Sequence, residues 1–339
     1  MLYNQNSGYG ASFFNALHQI VPTFGRILVV LNSTSDTALP HYNQLKELFS
    51  ADPDGLVRFY TSLSAAYDAV IDGNNDVILL DAKTSHKLAS MLTISKSRVH
   101  FIGMDSGDRL QDQRCLISNT GAGAATDTAM VKVTGTGCTF RNIKFANNWT
   151  HANNLYCVDD QASNTLFKNC TIQNLGSAHL TNANAASLRL SSDTSKYKEC
   201  TLGQDTLKIT STAGQVVLVK KATTAAKRVV FKDCQFLTYT SDTTHVFVRV
   251  SADGDIDRSV TFVNPIFENF NYDASNGGAQ LAVCIATPAN LVSGGIHVVN
   301  PAFLFATKLA TAAVGNAGVY VSANVQPTAA GVAAIKATA

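Results

Sequence analysis

The chain has 339 residues, 46% of them hydrophobic and 15% charged, with a formal net charge of +2. That length can bury a large core, and so even a charge balance excludes the basic footprint of a nucleic-acid or anionic-membrane binder. Charged residues fall well under the usual quarter, so Ser, Thr, Asn, Gln and Gly must cover the surface, which suits a β-rich, close-packed or assembled protein.

Residues 1–25 read as an N-terminal arm: a polar start, then the apolar patch Phe13, Phe14, Leu17, Ile20 and Val21 ending at Pro22. The first residues carry no basic segment followed by an apolar run, so no secretion signal is expected. Residues 26–110 read as a small α/β cap and lead-in. Arg26 to Leu31 is a strand by its Ile and Val content, and His41 to Ser50 is a helix by spacing. Leu56 to Tyr60 is a second strand. Ser62 is placed to N-cap a helix that buries Leu63, Ala66, Tyr67, Val70 and Ile71, closed by Gly73. Strands then follow at Asp76 to Asp81, Leu92 to Ser95 and Val99 to Ile102.

Residues 111–308 hold a repeated seven-residue phrase. It reads Thr139-Phe140-Arg141-Asn142-Ile143-Lys144-Phe145 and returns from Leu166, Lys196, Val230, Thr261 and His297. Its second position is apolar (Phe140, Phe167, Tyr197, Phe231, Phe262, Val298). The fourth is Asn142, Asn169, Glu199, Asp233, Asn264 and Asn300, the fifth includes Cys170, Cys200 and Cys234, and the seventh is apolar. Repeats at a period of 20–50 residues indicate a solenoid, and the irregular steps suit a three-sided coil with inserted loops. In stacked parallel strands each position lies over itself. The Asn side chains are then expected to form a structural ladder at a turn, and positions two, five and seven a core stack. Glu199 and Asp233 should interrupt the ladder and face solvent or backbone amides. Residues 309–339 form an Ala-rich tail with a candidate strand at Gly318 to Val325.

The repeated phrase, the Asn ladder and the run from Ser62 to Gly103 resemble the right-handed parallel β-helix of the pectate-lyase superfamily. The resemblance covers about residues 56–308 and implies an all-β solenoid with a small N-terminal α/β cap. It implies nothing firm about chemistry, because one fold hosts many functions. Enzymes of that superfamily need a carboxylate set with a His-bearing turn and a basic pair, or Ca²⁺ carboxylates with an Arg base. Asp159-Asp160 matches only a paired-Asp element and otherwise reads as a solvated turn. No complete catalytic set is found, so no catalytic residue is assigned.

Asp253, Asp255 and Asp257 alternate as Ca²⁺ ligands could, but without the Gly and closing Glu of an EF-hand loop they read first as a hydrated turn. Asp205 and Lys208 read as a surface pair. Trp149 could stack on sugar or cap a loop. The eight histidines do not cluster by spacing, and His297 is expected to face outward. The seven cysteines show no CxxC or Cys/His metal spacing, so they read as free, buried thiols in a chain made in a reducing compartment, and no cofactor or metal is expected.

Arm, cap, solenoid and tail with low charge resemble structural proteins of tailed-phage virions, including the start Tyr9-Gly10-Ala11-Ser12-Phe13-Phe14-Asn15. The expected role is a capsid-associated decoration or cement protein, located in the virion after synthesis in the host cytoplasm. Its expected partners are other virion or capsid proteins and further copies of itself, a trimer first, with no nucleic acid and no membrane. Two alternatives stand beside it. One is a carbohydrate-active β-helix, such as a tailspike depolymerase, in which Asp159, Asp160 and Asp205 converge. The other is a polysaccharide-binding module built on Trp149 and exposed Tyr residues.

Overall fold

The computed structural model describes residues 25–31, 58–82, 85–105, 115–210, 212–270, 280–289, 291–311 and 318–322. The expected helix at His41 to Ser50, nearly all of the arm and most of the tail lie outside them. The described strands form three parallel sheets of eleven, eight and seven strands, here called faces A, B and C. One coil visits them in turn: Thr139–Arg141 on face A, Ile143–Asn147 on face B, Tyr156–Asp160 on face C, then Leu166–Lys168 back on face A. This is a right-handed parallel β-helix.

The repeated phrase straddles the corner between faces A and B. Its fourth residue is the corner, and all six copies hold positive φ between 49° and 56°. Asn tolerates that left-handed conformation best among side-chain-bearing residues, which is why it recurs there. Each corner N–H continues the ladder into the next coil, as from Asn169 to the Lys198 carbonyl at 2.9 Å. Side chains add a second ladder. Asn169 Nδ2 donates to Asn142 Oδ1 at 3.0 Å, Asn264 Nδ2 to Asp233 Oδ1 at 2.8 Å, and Asn300 Nδ2 to Asn264 Oδ1 at 3.3 Å. Asp233 therefore joins the ladder as an acceptor rather than interrupting it. Glu199 alone breaks it, and pairs with Lys198 at 3.1 Å.

Position two builds the core axis. Phe101, Phe140, Phe167, Tyr197, Phe231 and Phe262 pair in register, with successive rings stacked 4.5–5.1 Å apart. All are essentially fully buried, and each buried ring is worth about 1.5–3 kcal/mol of transfer free energy. Position seven runs parallel to it as Phe145, Ile172, Leu202, Phe236, Phe267 and Phe303. The thiols of Cys170, Cys200 and Cys234 each donate to the carbonyl two residues back and to a position-two carbonyl one coil earlier. All seven cysteines are buried and unbridged.

The segment 26–110 carries the first coil of the same solenoid. Ile27–Val30 and Val77–Leu80 lie on face A, His86–Leu88 opens face B, and Leu92–Ile94 opens face C. A helix, Leu63–Ala69, packs Leu63, Ala66 and Tyr67 inward, and Ser62 Oγ accepts from Ala65 N. It ends at Ala69 instead of running to Gly73, so Ile71, expected on the buried side, is 52% exposed. Lys96 Nζ closes its end by donating to the carbonyls of Tyr67, Asp68 and Val70. Among the described residues no helix is long and apolar enough to cross a membrane.

Candidate functional site

Asp159 and Asp160 end the face C strand Tyr156–Asp160, and both are buried, 1% and 0% exposed. They are not a solvated turn. Neighbouring residues of a strand point to opposite sides, and these two do so. Asp160 points inward. Its Oδ2 accepts from Tyr197 Oη at 2.7 Å and Thr165 Oγ1 at 2.9 Å, and its Oδ1 from Ala162 N at 3.3 Å. Burial lifts its pKa to about 6, with the bonds from Tyr197, Thr165, Ala162 and Ser192 holding it from rising further.

Asp159 points outward. Its Oδ2 accepts from Arg189 Nη1 at 3.2 Å and from Gln161 Nε2 at 2.7 Å, while Oδ1 is buried without a partner. Burial raises its pKa, against the pull of Arg189, Gln161 and Lys132. Register explains the partners: Lys132, Asp159, Arg189, Leu218 and Arg249 follow one another on consecutive strands of face C. The Arg189 guanidinium also lies 5.6 Å from the Tyr156 ring centre. Tyr156, Ala129, Ala186 and Leu218 form a small apolar cluster apart from the main core. Further along, an open groove of about 450 Å³ is lined by Thr243, Thr244, Val246, Arg249 and Lys308. Arg249 is held there by Gln215 Oε1 at 2.9 Å.

Asp205 does not join this pair. It lies beyond the face B strand Thr201–Gly203, and its Oδ1 accepts only from Thr206 Oγ1 at 3.2 Å. It forms no ion pair with Lys208, contrary to expectation. Asp159, Asp160 and Asp205 therefore share no hydrogen-bond partner. One is paired outside, one sealed inside, and one sits beyond another face.

The alternating Asp253, Asp255 and Asp257 also diverge. Asp253 Oδ1 accepts from Val292 N, Ser293 N and Ser293 Oγ. Asp255 accepts from Lys221 N at 2.8 Å and Ala252 N at 2.7 Å, and Asp257 pairs with Lys227 Nζ at 2.9 Å. Three carboxylates with separate partners make a poor Ca²⁺ cage, and among the described residues no cluster of metal-binding side chains forms. Trp149 is fully buried, its Nε1 donating to the Thr120 carbonyl at 3.0 Å, so it offers no face to a sugar. His297 is exposed, with its ring 5.5 Å from that of Tyr320.

Two groups escaped sequence reasoning. His179 and His245, 66 residues apart in sequence, are both fully buried, and the charge of His179 acts on His245. Burial lowers the His179 pKa to about 4, and burial together with His179 lowers that of His245 to about 3. Neither ring nitrogen of His179 has a hydrogen-bond partner, while His245 Nε2 meets Thr238 Oγ1 at 3.0 Å. The second is a polar column at the end of face B. Asn119 Nδ2 donates to Asn147 Oδ1 at 3.0 Å, and Asn147 Nδ2 to Asn174 Oδ1 at 3.1 Å. The thiols have no catalytic setting, since burial pushes Cys138 to about 11 and Cys157 to about 12, which keeps them protonated at neutral pH.

The fold is shared with solved pectin-active proteins. The pectin methylesterase from Aspergillus niger superposes with a TM-score of 0.52 at 14% identity, covering 88% of this chain and 84% of that one. Pectate lyase Pel9A superposes with a TM-score of 0.50 at 13% identity, covering 82% of this chain and 63% of that one. ORF18 of Geobacillus virus E2 matches more loosely, with a TM-score of 0.46 at 11% identity over 95% of this chain and 64% of that one. No family model matches the chain, and no curated protein sequence does. At these identities the likeness establishes the β-helix and leaves the activity open.

Proposed function

We propose that this chain is a structural β-helix protein of a phage virion, capsid-associated, that works by assembly with capsid proteins and its own copies rather than by catalysis. The observation that carries the reading is the state of Asp159 and Asp160. A hydrolase of the two-carboxylate type needs both groups facing one substrate. Here Asp160 faces the core and Asp159 is engaged by Arg189 and Gln161. The low charge and the phage-like arm and tail add support from the sequence. The rigid solenoid serves as spacer or clamp, and the termini serve as contacts.

The test is quantitative protein analysis of purified virions alongside assays of the recombinant chain on pectin and polygalacturonate. Stoichiometric copies in the particle, with neither methanol nor new chain ends released, are the expected result. Absence from virions together with turnover of either polymer overturns the reading.

A further inference from the structure

Position three of the repeated phrase carries a cation in four consecutive coils. Arg141, Lys168, Lys198 and Lys232 are direct register neighbours on the outside of face A. The column has sharp ends, being preceded by Ile102 and followed by Val263 and Val299. The same backbone site thus accepts aliphatic residues, so the fold does not require the charges. Lys196 adds a fifth cation beside the column, between Leu166 and Val230.

Strands lie about 4.8 Å apart, and like charges directly opposite one another are destabilising. Only Lys198 has a carboxylate at hand, the exposed Glu199. Arg141, Lys168, Lys196 and Lys232 have none among the described residues, and the buried Nε of Arg141 has no hydrogen-bond partner. A line of cations, one per coil, with Glu199 the single carboxylate paired to it among the described residues, is a surface that lacks its counterpart.

We infer that this column docks a linear sulfated glycan lying along the solenoid axis. Charge complementarity selects an extended polyanion, and the surroundings select among polyanions. The face A rings of these coils stack inside, and outward position one is Thr139, Leu166, Lys196 and Val230, so this face offers no platform for nucleic-acid bases. The open grooves around His297 and Tyr320 and around Val246 and Arg249 lie at later coils, and lysine is depleted in protein–protein interface cores, which disfavours a protein partner here. A carboxylate is matched best by the planar fork of Arg, whereas three of these four cations are Lys, which act as point charges toward a tetrahedral oxyanion. Asn142 and Asn169, half-buried at the adjoining corner, supply polar edges for hydroxyl groups. This surface lies away from the outward Asp159 side of face C.

Heparin is the probe, applied to the full chain. The salt dependence of heparin binding is compared for the wild type, the column variant K168Q/K198Q/K232Q, and a control variant K208Q/K220Q/K221Q that loses the same charge elsewhere. The column variant should bind at least about tenfold more weakly at low salt, and its slope of log affinity against log salt should fall by about two to three. The control should stay within about twofold of the wild type, and the melting temperature of the column variant should hold or rise as repulsion is relieved. If the triple variant fails to fold, K232V, which places there the residue found at Val263, should still lose about threefold. Equal losses in column and control variants overturn the proposal. So does binding of polygalacturonate, poly-L-glutamate or single-stranded poly(dT) as tight as that of heparin.

Discussion

Tyr197 donates its phenol to Asp160 at 2.7 Å across the inside of the solenoid, from the face A stack to a face C strand. One aromatic ring thus belongs to two systems, the apolar column along the axis and a polar cluster across it. The Tyr197→Phe variant keeps the first and removes the second. It leaves Asp160 with one donor fewer in a fully buried place, and should lower unfolding free energy by about 1–3 kcal/mol in denaturant titrations. An unchanged midpoint would mean that the bond contributes nothing.

Stability should depend on pH through three buried groups of opposite sign. His179 and His245 have folded pKa values of about 4 and about 3, against an ordinary 6.5. Their contribution is present above pH 6.5 and is lost as pH falls, because the unfolded chain takes up protons first. Asp160 is raised from 3.8 to about 6, so its contribution is present below about pH 4 and is lost as pH rises toward 6, by about 3 kcal/mol. Two histidines outweigh one aspartate, and the melting temperature should fall between pH 6.5 and 4. His179→Met, at a site with no hydrogen bond to lose, should flatten that fall, and Asp160→Asn should steepen it.

The side-chain ladder at the corner is interrupted at Glu199, which holds a φ of 56°. Glu199→Asn places there the residue that tolerates this conformation best and lets its amide donate to Asn169 Oδ1. A gain of about 0.5–1 kcal/mol is expected, read as a rise of a few degrees in melting temperature. A fall would show that the Lys198 pairing outweighs the ladder.

Asp159 and Arg189 form a pair whose carboxylate is almost wholly buried and whose guanidinium is 17% exposed. Arg189→Leu alone strands the carboxylate and should cost about 3 kcal/mol or more. Adding Asp159→Leu should recover most of that, since Leu218 already occupies the next position of the same outward column. Failure of the double variant to recover would mean that the pair fixes the local structure in a way packing cannot replace.

The solenoid was legible because its signal repeats. Six copies of the phrase put Phe140, Asn142 and Phe145 in register with their counterparts, and the corner and core follow from residue type alone. Asp159 and Asp160 were misread because strand phase decides which side each takes, and the phase of a face C strand is not written in the phrase. His179 and His245 approach because a short helix, Ser177–Thr181, and a loop of another coil come together, and no spacing rule spans 66 residues. Position three was different. Its Arg, Lys, Lys, Lys series stands openly in the phrase, but the other positions carry the fold and attract the eye. Trp149 is sealed by packing against a loop, which composition cannot distinguish from display.

The corner residues have a further consequence. Loops between faces B and C and between C and A vary in length, yet each coil returns to the same left-handed corner and advances by one strand spacing. The eleven strands of face A therefore set its length in whole steps of about 4.8 Å, some 48 Å from first to last. Loop insertions leave that distance untouched, and only the gain or loss of an entire coil alters it. The molecule is a ruler graduated in coils, free to vary its loops while its two ends stay a fixed distance apart.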